Sequence, residues 1–157
     1  MRIFTGEHAR TIDDKHRLQL PSDFREATDP GEDGSGFYIT LGETPFTLWM
    51  LTPRGFGELS ARMETEFMSG PDSRKFELQF FSLASRVELD KQGRFVIPER
   101  LLKKARFGSE VILIGQKTRV EIWDPAAYQR ELGIDWDGDG WPNWQGFLRM
   151  RPRENPK

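Results

Sequence analysis

Ile12-Asp13-Asp14-Lys15-His16-Arg17-Leu18-Gln19-Leu20-Pro21 returns, altered, as Leu89-Asp90-Lys91-Gln92-Gly93-Arg94-Phe95-Val96-Ile97-Pro98. An Asp, an Arg four residues on and a Pro four beyond that recur 77 positions apart, with apolar residues in phase. A chain that repeats one unit can fold as a pseudo-symmetric pair of halves. It then presents two copies of one charged turn on one surface, and two matched turns suit a repetitive partner.

The elements around the second copy follow from its pattern. Residues 85–89 alternate polar and apolar, as a half-buried strand does. Asp90 to Gly93 is a turn: Asp begins it and Gly supplies the positive φ near its end. A strand resumes at 94–97, and Pro98 suits the first position of a helix, where its missing N–H costs nothing. That helix, 99–106, carries Leu101, Leu102 and Ala105 on one side and is closed by Gly108. Strands at 110–115 and 118–123 follow, joined at Gln116-Lys117. Asp124-Pro125 reads as a helix N-cap with Pro at the first helical position, and the helix ends near Gly133.

The first copy runs in the same order: strand 9–12, turn, strand 17–20, helix 21–27, then strands 37–41 and 46–51. A Gly/Asp/Ser loop at 29–36 is longer than its counterpart. Thr52-Pro53 repeats the cap-plus-Pro device, and Phe56 matches Tyr128. The chain therefore divides into a first repeat at 1–70, a second at 71–133 that includes a linking helix, and a tail at 134–157. The linking helix, 72–81, places Phe76 and Phe80 on one face and reads as a packing element. The tail is rich in Trp, Asp, Gly and Pro, then basic.

Composition bounds the function. A chain of 157 residues, 36% apolar and 31% charged, with 12 Phe and 5 Trp, is sufficient for one core or for two small halves sharing one. The absence of cysteine excludes disulfides and thiolate metal sites. No wholly apolar run exceeds that of residues 111–114, far short of a membrane span, and the first residues lack the apolar core of a secretory signal. The expectation is a soluble cytoplasmic protein with no membrane partner. A net charge of −2 argues against an indiscriminate nucleic-acid coat. Residues 86–106 are locally positive by four, whereas residues 8–26 are balanced. Anion binding must come from the placement of a few cations, reinforced by copy number.

Taken together, Gly6-Glu7, the stretch Asp13 to Pro21, Phe76-x-x-x-Phe80-Phe81, the stretch Val87 to Pro98 and Ile122-Trp123 resemble the MraZ family of bacterial transcriptional regulators, related to the SpoVT/AbrB group. The resemblance covers residues 1–132. It implies a mostly β fold with flanking helices: a double-split β-barrel built from two pseudo-symmetric, AbrB-like swapped-hairpin halves. It also implies a homo-oligomeric ring that binds double-stranded DNA at short direct repeats, and so represses or tunes division and cell-wall genes, in association with the nucleoid. Carried over residue by residue, the motif positions are Asp13 and Arg17 in one turn, Asp90 and Arg94 in the other. The family has Gly before the motif Arg, as Gly93 stands here, but the first copy has His16. Either the first turn differs in shape, or His16 takes a positive φ at some cost.

The chemistry of these residues suits that reading. Arg neutralises phosphate, and its planar fork can grip the O6/N7 edge of guanine in a major groove wide enough for a two-stranded ribbon. Asp13 and Asp90 can accept turn N–H bonds and hold the Arg, while Lys15 and Lys91 add phosphate contacts that orient rather than specify. The competing reading is that Asp13–Arg17 and Asp90–Arg94 are ordinary surface ion pairs, worth under about 1 kcal/mol each. Arg10, Arg86, Arg100, Lys103 and Lys104 flank the footprint or simply line solvated faces.

Catalytic and cofactor readings find little support. There are two histidines, His8 and His16, and no GxSxG, no HExxH and no phosphate-cradling Gly-rich motif. No catalytic residue, metal site, cofactor or small-molecule substrate is assigned. Asp135-x-Asp137-x-Asp139-Gly140 copies the first half of an EF-hand loop, but the twelfth position is Gly146, where a bidentate Glu is needed. A plain acidic turn is the alternative, with Trp136, Trp141 and Trp144 packing on the body or on a neighbouring subunit. Arg149, Arg151 and Arg153 can touch phosphate or end the chain in disorder. A second functional class remains open: an oligomeric protein-interaction scaffold or antitoxin-like partner-binding module without DNA specificity.

Overall fold

The computed structural model of the chain describes residues 3–66, 70–133 and 144–149. The first half contributes β1 (Glu7–Thr11), β2 (Arg17–Gln19), α1 (Ser22–Glu26), α2 (Pro30–Asp33), β3 (Phe37–Leu41), β4 (Thr47–Leu51) and α3 (Pro53–Glu66). The linking helix α4 spans Pro71–Leu83. The second half contributes β5 (Ser85–Val87), β6 (Arg94–Val96), α5 (Glu99–Ala105), β7 (Glu110–Gln116), β8 (Arg119–Trp123) and α6 (Pro125–Leu132), and α7 (Trp144–Arg149) follows. The architecture is mostly β with flanking helices.

All strand pairings are antiparallel. Six strands form one sheet in the order β1-β7-β8-β4-β3-β5, and β2 pairs with β6 in a separate ribbon. Exchanging each strand for its counterpart in the other half leaves the order of the sheet unchanged. At its centre β4 lies against β8, with Trp49 opposite Glu121. In the ribbon Leu18 lies opposite Phe95. Both are pairs of repeat-equivalent residues.

The ribbon alternates as its sequence dictates. Leu18, Leu20, Phe95 and Ile97 point inward and are fully buried. Each contributes about 1.5–3 kcal/mol relative to exposure. They join Phe24 of α1, Leu101 of α5, Ile39 and Leu48 in the main core. Trp123 and Tyr128 belong to a second cluster beneath α6.

Helix ends follow local chemistry. Thr52 Oγ1 accepts from Gly55 N at 3.0 Å and Asp124 Oδ2 from Ala127 N at 3.0 Å, so both cap-plus-Pro devices act as the sequence suggests. Gly133 closes α6 in the left-handed region, with φ 65°. Two expectations are corrected. The loop at 29–36 contains the short helix α2, because Asp29 caps it by accepting from Gly31 N at 2.9 Å and Pro30 starts it. Arg106, not Gly108, ends α5, with a left-handed φ of 54°. The chain reverses there and Phe107 packs on the core.

Candidate nucleic-acid interface

The two turns are built by the same set of bonds. In the first, Asp13 Oδ1 accepts from Lys15 N at 3.0 Å and from Arg17 N at 2.8 Å, and Oδ2 accepts from Arg17 Nε at 2.7 Å. In the second, Asp90 Oδ1 accepts from Gln92 N and from Arg94 N, each at 2.9 Å, and Oδ2 accepts from Arg94 Nε at 2.9 Å. The backbone repeats as well: His16 N donates to Asp13 O, and Gly93 N to Asp90 O, each at 3.0 Å. The residue before each Arg is left-handed, His16 at φ 61° and Gly93 at φ 77°. His16 therefore takes the glycine conformation and preserves the shape of the turn.

Each turn is also stitched to the opposite half. Leu20 N donates to Gly93 O and Ile97 N to His16 O, both at 2.9 Å. Gln19 Nε2 adds a bond to Gln92 O at 2.6 Å. The tip of each turn is thus fixed by the strand that follows the other.

These bonds aim the arginines. Arg17 lies opposite Val96, and Gln19 opposite Arg94. Side chains alternate along a strand, so all four project from the face opposite Leu18 and Phe95. Arg17 and Arg94 are 29% and 28% exposed, neither sealed in nor free. The bond to each Asp uses Nε, which leaves the paired Nη groups at the outer end of each guanidinium for another acceptor. The carboxylates of Asp13 and Asp90 are held below the ordinary carboxylate range, first by the N–H of Arg17 or Arg94 and further by the other turn bonds and the Arg charge. They stay ionised near neutral pH and keep the arginines oriented.

Lys15 and Lys91 are exposed on the two tips but are not equivalent. Lys15 matches Gln92, and Lys91 matches Asp14. The first turn is neutral with His16 uncharged, whereas the second carries one net positive charge. Their surroundings differ as well. Arg25 of α1 lies across Gly93, where an added methyl would sit 2.7 Å from Arg25 Cζ. The first turn instead borders an open concavity of about 660 Å³, whose lining includes Asp13, His16, Glu99, Lys103 and Arg106.

Gln19, Val96 and Arg25 were not singled out by the sequence. For Gln19 and Val96 the signal was the alternation itself, which places them beside the two arginines. Arg25 has no motif, since its place over Gly93 arises from the packing of α1. Of the flanking cations, Arg86 pairs with Glu88 at 3.1 Å and Lys103 with Glu99 at 3.1 Å. The acidic stretch Asp135–Asp139, with Trp136, Trp141, Arg151 and Arg153, lies outside the described residues. Trp144 is 59% exposed. Among the described residues, no group of three or more His, Asp or Glu could hold a metal ion, and no helix is long and apolar enough to cross a membrane.

Comparison with known proteins places this geometry in context. Residues 80–132 match the family model described as "MraZ protein, putative antitoxin-like". The chain is 39% identical over 127 residues to a transcriptional regulator MraZ of Moorella thermoacetica, covering 81% of this chain and 85% of that protein. It is 36% identical over 128 residues to the protein of the same name from Finegoldia magna, with 82% and 85% covered. A third, from Caldicellulosiruptor saccharolyticus, is 36% identical over 130 residues, with 83% and 87% covered.

Proposed function

The chain belongs to the MraZ family, and from that premise we propose that it is a sequence-specific DNA-binding transcriptional regulator. Asp13, Lys15, Arg17, Asp90, Lys91 and Arg94 form its DNA contact. Arg17 and Arg94 read base edges, Lys15 and Lys91 meet phosphates, and Asp13 and Asp90 hold the arginines in place. The observation that carries the reading is the shared face of Arg17 and Arg94, set by the pairing of β2 with β6. A ribbon with an orienting carboxylate behind each guanidinium has the form that a major groove admits.

The finer parts of the proposal follow the family resemblance. Residues 1–70 and 71–133 are two AbrB-like repeats that close a double-split barrel, and the palindromic strand order supports this. Several copies assemble as a ring on short direct repeats, repressing or tuning division and cell-wall genes at the nucleoid. No cofactor or small-molecule substrate is involved. Each copy offers few cations, so affinity arises from adjacent copies acting at high effective concentration.

The test is a gel shift with the DNA upstream of the chain's own coding region. Retardation that weakens steeply with salt is expected, because each phosphate contact releases counterions. If no retardation occurs on a sequence that lacks direct repeats, the protein-interaction module takes precedence.

A further inference from the structure

We propose that α7 of one copy docks into the groove between α3 and α4 of a neighbouring copy. Six of the eight exposed large hydrophobic residues among those described fall on two elements: Phe76, Leu78 and Phe81 on α4, and Trp144, Phe147 and Leu148 on α7; on α4 it is Phe76 that faces the groove, whereas Leu78 and Phe81 line a separate concavity with Arg74, Glu77 and Ser82. The concentration is unlike the scatter of single apolar residues that an ordinary surface carries. On α7 the three stand at helical spacings of three and four, so they form one ridge. Trp144 and Phe147 already meet edge to face, with ring centroids 6.1 Å apart.

The receiving surface is concave. A cavity of about 330 Å³ is lined by Leu41, Trp49, Leu59, Met63, Phe76 and Phe80. Its walls are largely aromatic. Phe76 stacks on Phe80 at 5.6 Å, Phe80 on Phe56 at 6.3 Å, and Phe56 on Tyr38 at 4.5 Å. Arg119 covers Trp49, its guanidinium carbon 4.0 Å from the ring centroid. Thr40 Oγ1 fixes α4 to the sheet by donating to Phe80 O at 2.8 Å.

Shape decides the partner. A ridge cannot bury itself against an identical ridge as well as in a groove, nor a groove against a groove. The self-consistent solution is a head-to-tail contact in which each copy gives one ridge and receives another. Charge agrees, because Glu43 stands exposed at the rim of the groove and exposed Arg149 follows Leu148 on α7. Two aromatic side chains bury about 150–250 Å² each, below the about 800 Å² per partner of a standard interface. A single contact is therefore weak, and closure of a ring, in which every copy is held twice, supplies the stability.

The absence of native cysteine makes the test direct. Full-length Glu43→Cys and Arg149→Cys chains, distinguished by mass, are mixed and oxidised, and the disulfide species are counted. Random pairing yields the mixed dimer at twice the level of either like pair; docking predicts at least a fivefold excess of the mixed dimer over each. A statistical mixture, an excess of like pairs or no disulfide overturns the proposal. As a second readout without DNA, Trp144→Ala/Phe147→Ala, at positions remote from the core, lowers the mass measured by light scattering. If this variant keeps the parent's mass across a hundredfold dilution, the proposal is overturned.

Discussion

Arg17 and Arg94 stand on one outward face of the β2–β6 ribbon, a single diagonal step of the register apart. Diagonal neighbours across an antiparallel pair lie roughly 7–8 Å apart. Successive base pairs rise about 3.4 Å per strand, so the two strand positions that carry the arginines are about two such steps apart. Gln19 and Val96 occupy the crossing diagonal. The face is thus two-fold in its arginines and asymmetric in what lies between them.

Replacement of Arg94 by Ala should therefore weaken binding to the upstream DNA by about ten- to a hundredfold, since a good bidentate base contact discriminates by about 1–3 kcal/mol. Fluorescence anisotropy gives the affinity and sedimentation the assembly, which should not change. Arg94→Lys keeps the charge but lacks the fork, and should recover only the part due to phosphate. Parent-level binding by Arg94→Ala at moderate salt would remove the arginine from the site.

The two left-handed residues make an internal control. His16 pays for its φ of 61°, a cost of about 1–2 kcal/mol for a residue with a Cβ. Gly recovers most of this and loses about 0.5–1 kcal/mol to its greater unfolded-state entropy. His16→Gly should thus stabilise the protein by up to about 1 kcal/mol, read by urea unfolding. Gly93→Ala should do the opposite by about 1–2 kcal/mol, because the new methyl meets both a φ of 77° and Arg25. In an Arg25→Ala background the contact part of that loss should disappear. Equal losses in both backgrounds would leave only the backbone term.

Why one part of this molecule could be read from sequence and another could not is visible in particular residues. The turns were legible because Asp13 and Asp90 act through bonds to residues two and four positions away, which the sequence displays directly. Helix α6 was legible for the same reason, with Asp124 and Gly133 marking its ends. Helix α2 was missed although Asp29-Pro30 carries the same signal as Asp124-Pro125; the surrounding glycines and acids read as loop. The left-handed end at Arg106 had no local mark, because it is set by Phe107 turning toward the core. The pairing of β2 with β6, which puts Arg17 and Arg94 on one face, is a long-range choice. Repetition suggested it, but burial of Leu18, Leu20, Phe95 and Ile97 and the bonds between the two turns enforce it.

Acid should loosen the two turns together. Asp13 and Asp90 have folded-state pKa values below the ordinary 3.8, chiefly because each accepts the backbone N–H of its Arg. A depressed carboxylate stabilises the fold fully above the unfolded value. The contribution is lost as the pH falls through 3.8 toward the lower folded value. The thermal midpoint of the parent should drop across that window. Asp13→Asn/Asp90→Asn should start lower at neutral pH and show a shallower drop. An equally steep fall in the variant would assign the acid sensitivity to other carboxylates.

At the alkaline end the marker is Tyr128. Burial raises its phenol pKa from 10.0 to about 12, with Glu7 and Glu121 adding negative charge nearby. Its hydroxyl donates to Glu7 Oε2 at 3.2 Å, tying α6 to β1. The sign is opposite to that of the aspartates. A group whose folded pKa is raised stabilises the fold fully below its unfolded value, and the contribution is lost as the pH climbs from 10.0 toward about 12. The chain has two tyrosines, so absorbance at the phenolate band resolves them. A component titrating near 12 should be present in the parent and absent from Tyr128→Phe. The substitution also removes one neutral-to-charged hydrogen bond, worth about 1.5–3 kcal/mol at most, and the net loss is smaller because Glu7 lies at an exposed strand end and rehydrates. If the late component survives in Tyr128→Phe, the burial of α6 against β1 and β7 does not govern that phenol.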